Sequence, residues 1–168
     1  QVKDIVEEAI EDKLDNNPGT DWQDQTDPTY AAMVEHTDLS LGAILETLQD
    51  PDGDPLTNDS IADNTIIVFT ADNGGLTSVT SNRPLREGKG QNYEGGIREP
   101  WVFWWPGQIT PAIVDEPIVT HDLMPTLLQF ADVEAPQGHV MTGQDLSPLL
   151  LGQPFERERP LTFHYPHW

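Results

Sequence analysis

The sequence predicts an α/β fold in which a mostly parallel sheet is flanked by helices. Two apolar runs, at residues 65–70 and 101–105, lack the alternation of a strand with one solvated face. Such runs are typical of strands buried on both faces, as in parallel sheets. Between residues 30 and 48, apolar side chains recur at three- and four-residue spacing and predict a helix that packs on this sheet. Strands and helices that follow one another in this way favour α/β architecture.

Residues 1–27 are acidic and rich in turn-forming types, and they predict an irregular lead-in. Asp27 followed by Pro28 is typical of a helix start, because an aspartate caps free backbone N–H groups and proline fits the first helical position. This helix is predicted to end before Pro51. Its apolar stripe consists of Tyr30, Met33, Val34, Thr37, Leu41, Ile44, Leu45 and Leu48.

The segment 50–59 is rich in aspartate and suggests a calcium-binding loop. The spacing does not fit an EF-hand, since Pro55 occupies the glycine position and Ile61 stands where the bidentate glutamate belongs. The sequence therefore favours a solvated acidic turn.

Four further elements are predicted beyond residue 105. They are a short strand over 117–120, a helix that Asp122 caps, a helical turn over 147–152, and a strand over 161–165.

With 168 residues, the chain is predicted to form about one domain. We divide it into the lead-in at 1–27, an α/β core segment at 28–152, and the start of a carboxyl-terminal region at 153–168.

The chain has no cysteine, which excludes disulfides and thiolate chemistry within these residues. No apolar run approaches the length of a membrane span. The first residue is not methionine, so we expect a fragment or a processed chain.

The formal net charge of −21 argues against nucleic acid or an anionic membrane as a partner. Half of the eight lysines and arginines lie close together in the sequence, namely Arg83, Arg86, Lys89 and Arg98. Positive charge concentrated in so acidic a chain is consistent with the binding of an anion. Neutralisation of neighbouring acids explains the same pattern equally well.

Asp72 and Asn73 follow the first apolar run directly, and Gly74 and Gly75 come next. Ligands of open α/β sheets bind at the carboxyl ends of strands. Carboxylate and amide oxygens suit Ca²⁺ or Mg²⁺, so these two residues are candidate metal ligands. A simple Asx turn is the alternative, because Asp-Asn-Gly is a common turn sequence.

Lys89 lies between two glycines and is a candidate for stabilising negative charge on a reacting group. An exposed loop lysine without a catalytic role is the alternative. Glu94 and Arg98 are four residues apart and predict a structural ion pair. Weaker candidates for contacting an anionic or sugar-like substrate are Asn82, Arg83 and Arg86.

Three strings, TIIVFTADNG at 65–74, LREGKG at 85–90 and YEGGIREP at 93–100, resemble the sulfatase family. The likeness is to its arylsulfatase and N-acetylgalactosamine-sulfatase branch. WPGQI, DLMPT and DLSPL follow in the same order farther along the chain.

The resemblance implies an alkaline-phosphatase-like fold and hydrolysis of sulfate esters of small molecules or sugars. In this family a formylglycine, made from cysteine or serine, is the nucleophile, and a divalent cation, usually calcium, holds the sulfate oxygens. By motif position, Asp72 and Asn73 match two metal ligands, and Lys89 matches the lysine that contacts the sulfate or leaving-group oxygen. A periplasmic or extracellular location is the family expectation.

The nucleophile motif Cys/Ser-x-Pro-x-Arg and the family's amino-terminal aspartate pair are absent from these residues. We therefore expect an internal or carboxyl-side piece of a sulfatase that is inactive by itself. Two alternatives remain. One is a metal phosphoesterase of the same superfold, against which Asn73 weighs. The other is a non-catalytic protein that binds sulfated glycans or cations.

Overall fold

The computed structural model describes residues 27–164. In chain order, its elements are α1 (Pro28–Gln49), a 3-10 helix (Ala62–Asn64), β1 (Ile67–Thr70), α2 (Glu94–Ile97), β2 (Trp101–Trp104), a second 3-10 helix (Thr120–Asp122), α3 (Leu123–Phe130) and α4 (Ser147–Leu150). The chain forms two compact units that divide after Trp105, the second being Pro106–His164. Most of the predicted acidic lead-in lies outside the described residues.

The start and end of α1 agree with the sequence prediction. The Asp27 carboxylate accepts hydrogen bonds from the backbone N–H groups of Thr29 and Tyr30, each at 2.9 Å. Pro28 occupies the first turn, where no backbone donor is needed. The helix ends at Gln49, two residues before Pro51.

The predicted packing of α1 on a sheet is wrong for the described residues. None of its side chains is buried, and Met33, Val34 and Ile44 of the apolar stripe are 64%, 53% and 53% exposed. The periodic pattern identifies which helix face is apolar, but it does not identify the segment that covers it.

The two apolar runs form β1 and β2, but they pair antiparallel, with Ile67 opposite Trp104 and Thr70 opposite Trp101. The predicted parallel arrangement is thus wrong for this pair. Loss of alternation does not determine strand direction, which depends on the connection between the strands. Here that connection, residues 71–100, is long and mostly irregular, so it imposes neither direction.

Full burial of the strands is also not observed. Phe69 of β1 is 40% exposed and Val102 of β2 is 53% exposed. On the other side of β2, the rings of Trp101 and Phe103 stack with centroids 5.8 Å apart. The Trp105 indole donates a hydrogen bond to the carbonyl of Asp63 at 2.9 Å, which ties the end of β2 to the segment before β1.

In the second unit, helices α3 and α4 confirm the two predicted helical segments. Residues 117–119 and 161–164 form no strand, so those two predictions are wrong over the described residues. The buried side chains here include Leu146 and Thr126. The Thr126 hydroxyl donates to the carbonyl of Asp122 at 2.6 Å and accepts from the Leu146 N–H at 2.8 Å, which links α3 to the start of α4.

Candidate functional site

The turn after β1 brings the two candidate metal ligands together. The Asn73 side-chain amide donates to the Asp72 carboxylate at 2.7 Å. Asp72 is exposed and Asn73 is half-buried. The pair therefore presents oxygen-bearing groups at the carboxyl end of a strand, as the sequence predicted.

Backbone hydrogen bonds join this turn to the loop that carries Lys89. The Lys89 N–H donates to the carbonyl of Gly75 at 3.1 Å, and the Gly74 N–H donates to the carbonyl of Gly96 at 3.1 Å. The structure thus places the predicted ligand turn and the predicted catalytic loop against each other. The Lys89 side chain is exposed, which leaves its ammonium accessible.

Glycines make this close approach possible. A Cβ added to Gly74 would collide with the carbonyl of Gly95, and one added to Gly88 would collide with the carbonyl of Gly75. A Cβ at Gly95 would likewise meet the backbone carbonyls of Arg86 and Glu87. No larger residue fits these positions without a backbone shift. Gly74, Gly88 and Gly95 are therefore packing requirements of the junction.

Asn82 bridges the same junction. Its side-chain oxygen accepts from the Gly75 N–H at 2.9 Å, and its side-chain NH₂ donates to the Gly75 carbonyl at 2.8 Å. The side chain is half-buried. Its predicted contact with substrate stays a prediction, but the structure commits both ends of this amide to Gly75.

The arginines of the loop have separate surroundings. The Arg86 guanidinium lies over the ring of Tyr93, 3.7 Å from the ring centroid, a cation–π arrangement. Arg83 is exposed. Contact of Arg83 and Arg86 with substrate stays a prediction. The predicted Arg98–Glu94 pair forms at 2.9 Å, with both side chains more than half exposed.

Glu99 lies close enough to Asp72 for their charges to interact, a relationship that the sequence does not predict. Burial raises the pKa of Glu99, and repulsion from the Asp72 carboxylate raises it further. No local motif links residues so far apart, and only the return of the chain along β2 brings them together. A second carboxyl group thus lies near Asp72.

The donor set agrees with the proposed metal. Asp72 and Asn73 offer the hard oxygens that Ca²⁺ and Mg²⁺ prefer. Two side chains are fewer than the six to eight ligands that calcium usually takes, so other groups must complete a site. Asp72 and Asn73 are therefore suitable as two ligands of a cation that needs further ligands from elsewhere.

The acidic loop contains a second group of carboxylates. One side-chain oxygen each from Asp50, Asp52 and Asp59 lies within 4.8 Å of the others. Asp52 accepts hydrogen bonds from the Asp54 N–H at 2.9 Å and the Thr57 hydroxyl at 3.0 Å. These bonds lower the pKa of Asp52. Residues 51–58 are exposed, in agreement with the predicted solvated turn.

The second unit contains a buried ion pair that the sequence does not predict. Asp122, predicted to cap α3, makes no side-chain cap to that helix. It accepts instead from Arg157 at 2.8 Å and from the backbone N–H groups of Val119 and Gln144 at 2.9 and 2.8 Å. The pair is 35 residues apart in sequence, so no local pattern predicts it.

A cleft of about 530 Å³ lies beside this pair in the second unit. Its walls include His121, Gln144 and Phe163. None of the predicted catalytic or metal-binding residues lines it.

An acid and an amide at a strand end and a glycine-flanked lysine thus lie on two segments joined by backbone hydrogen bonds. The chain belongs to the sulfatase family, whose family model, described as "Sulfatase", matches residues 7–133. This confirms the resemblance found in the sequence.

Individual relatives agree. The chain is 40% identical over 147 residues to a protein named "Sulfatase" from Formosa agariphila, covering 84% of this chain and 27% of that protein. It is 40% identical over 134 residues to arylsulfatase A of Homo sapiens, covering 77% and 25%. It is 39% identical over 142 residues to human N-acetylgalactosamine-6-sulfatase, covering 81% and 25%. The chain thus spans about a quarter of the length of these relatives.

Among solved structures, that of Ps i-CgsB in complex with k-i-k-neocarrahexaose matches with a TM-score of 0.66 and 32% identity. The match covers 80% of this chain and 28% of that one. Within residues 27–164, no helix has the length and apolar character needed to cross a membrane.

Proposed function

We propose that the protein hydrolyses sulfate esters at a site to which this chain contributes a cation-binding turn and a charge-stabilising lysine. Membership of the sulfatase family supports sulfate ester hydrolysis in general. The observation that carries the proposal is the hydrogen bond from the Lys89 N–H to the Gly75 carbonyl, at 3.1 Å. It joins the loop of the lysine to the turn of Asp72 and Asn73.

Asp72 and Asn73 would hold a divalent cation, calcium or magnesium. When bound, that cation supplies positive charge for the oxygens of a sulfate group. Lys89 is a compact ammonium on an exposed loop, so it can donate hydrogen bonds to a sulfate or leaving-group oxygen. Such donors accelerate reaction when they are fixed where negative charge develops. The nucleophile is expected to be a formylglycine, and we assign it to no residue of this chain.

The substrate class we propose is a sulfate ester of a small molecule or a sugar. The similar human proteins are named for aryl sulfates and for N-acetylgalactosamine-6-sulfate, and the similar solved structure holds k-i-k-neocarrahexaose. An oxyanion suits the cationic segment around Lys89 in a chain of net charge −21.

The test is an assay of the full-length natural protein with a chromogenic aryl sulfate and with the matching phosphate ester. We expect hydrolysis of the sulfate ester, its loss on chelation, and its recovery when calcium or magnesium is restored. Preferential hydrolysis of the phosphate ester would favour a metal phosphoesterase instead. Binding of sulfated glycans without hydrolysis of either ester would favour a non-catalytic protein.

A further inference from the structure

The Asn82 side chain makes the same two hydrogen bonds with Gly75 that a neighbouring peptide group would make. Its oxygen accepts from the Gly75 N–H at 2.9 Å and its NH₂ donates to the Gly75 carbonyl at 2.8 Å. Both polar ends of the amide are used, and the side chain is half-buried. Since the free energy of a buried hydrogen bond depends on both partners, no shorter or purely accepting side chain replaces this pair.

The Gly75 carbonyl is shared between two donors. It accepts from the Asn82 side chain at 2.8 Å and from the Lys89 backbone N–H at 3.1 Å. Gly75 lies three residues after Asp72, so the group that Asn82 holds belongs to the ligand turn and also anchors the lysine loop. Gly88 packs against the same carbonyl and is buried.

We propose that Asn82 is a positioning residue that holds Gly75 so that the Asp72–Asn73 turn and Lys89 keep a fixed separation. This inference rests on the proposed function, and it replaces direct substrate contact as the role of Asn82. Outer groups that orient metal ligands or catalytic groups contribute about 10–100-fold to metal affinity or activity.

The variants are Asn82→Ala, which removes both bonds, and Asn82→Ser, whose hydroxyl can make at most one of them. Asn92→Ala is the matched control, because Asn92 is an exposed asparagine in the same loop region. All are made in the full-length natural protein, and thermal unfolding confirms that each one folds. If Asn82→Ala does not fold, Asn82→Ser is judged by the same criteria.

Two measurements separate positioning from general stability. Calorimetric titration with calcium should give a Kd about tenfold or more weaker for Asn82→Ala, and an unchanged Kd for Asn92→Ala. At saturating calcium, Asn82→Ala should lower kcat for a chromogenic sulfate ester by about 10–100-fold, with a smaller change in KM.

A double-mutant cycle with Lys89→Ala gives the decisive comparison. If Asn82 acts at the chemical step by placing Lys89, then Asn82→Ala should lower kcat by less than about threefold once Lys89 is absent. An equal loss of kcat in both backgrounds overturns the proposal, and so does a calcium Kd within threefold of the wild type. If the wild type itself hydrolyses no sulfate ester, the proposed function fails, whereas wild-type behaviour of the Asn82 variants in an active enzyme defeats only this inference.

Discussion

Arg157 reaches Asp122 across 35 residues of sequence and contacts it at 2.8 Å, where the aspartate side chain is 1% exposed and the arginine side chain 12% exposed. The guanidinium also donates to the carbonyl of Pro117 at 3.1 Å. A buried carboxylate needs such partners, because burial without them strongly disfavours its charge. This pair therefore ties the segment after α4 to the start of α3 within the second unit.

Replacement of Arg157 by methionine should destabilise the protein by about 3–5 kcal/mol, because it leaves the buried Asp122 carboxylate without its counter-ion. Chemical unfolding of the full-length natural protein measures this loss. The matched control is Arg98→Met, which breaks the exposed pair with Glu94 and should change the free energy of unfolding by less than about 1 kcal/mol. Equal effects of the two substitutions would contradict a structural role for the buried pair.

Asp122 should also make the free energy of unfolding depend on pH in the acid range. Burial by itself would raise the pKa of Asp122, but hydrogen bonds from Arg157, Gln144 and Val119 outweigh it and hold the pKa below its usual value of 3.8. Since the folded pKa is the lower one, the stabilisation is present above pH 3.8 and is lost as the pH falls through that value towards the folded pKa. The free energy of unfolding should therefore fall more steeply with acid in the wild type than in Asp122→Asn. If the free energy of unfolding falls equally with acid in both proteins, Asp122 does not cause the acid dependence of stability.

Local sequence rules predicted the elements whose causes are local. The Asp27 cap, the proline start and the end of α1 depend on neighbours within a few residues, and the structure confirms them. The apolar runs also became strands. Strand direction and the segment that covers each apolar face depend on distant parts of the chain. There the parallel prediction was wrong for the β1–β2 pair, and the packing of α1 on a sheet was wrong for the described residues.

The candidate site shows the same limit. Residue types at a strand end made Asp72 and Asn73 candidate ligands, and flanking glycines made Lys89 a candidate catalytic group; these roles stay predictions. The amide of Asn82 satisfying Gly75, and the proximity of Glu99 to Asp72, follow from how the chain returns on itself. No spacing in the sequence encodes either contact. Asn82 and Gly75 are seven residues apart in an irregular loop, and Asp72 and Glu99 lie at opposite ends of the connection between β1 and β2.

Gly74→Ala should disrupt the junction, because its Cβ would collide with the backbone carbonyl of Gly95. Overpacking of this kind destabilises proteins by about 1–3 kcal/mol or more. Gly42→Ala is the matched control: Gly42 lies within α1 with nothing within 4 Å of its added Cβ, and alanine there should stabilise the helix by up to about 1 kcal/mol. Thermal unfolding compares the two, and a Gly74→Ala protein as stable as the wild type would show that the backbone tolerates the added methyl.

Asp72→Ala should abolish tight calcium binding, because it removes a charged ligand from the turn after β1. Calorimetric titration of the full-length natural protein measures the loss. A control variant in the acidic loop is also needed, because the carboxylates of Asp50, Asp52 and Asp59 lie close enough together to bind calcium themselves. Calcium binding that survives Asp72→Ala and disappears in Asp52→Asn would defeat the assignment of Asp72.

Lys89→Ala should lower kcat for a chromogenic sulfate ester by about 10²–10³-fold, the usual effect of removing a donor that stabilises developing charge. Lys89→Met tests the same charge while keeping most of the side-chain volume, so the two variants should lose activity to a similar degree. Arg159→Ala is the control for net charge, because it removes an exposed cation that has no part in the proposed site. Steady-state kinetics at saturating calcium separates kcat from KM. A loss below threefold would remove Lys89 from the chemistry, whereas a large rise in KM with kcat unchanged would make it a residue of substrate binding.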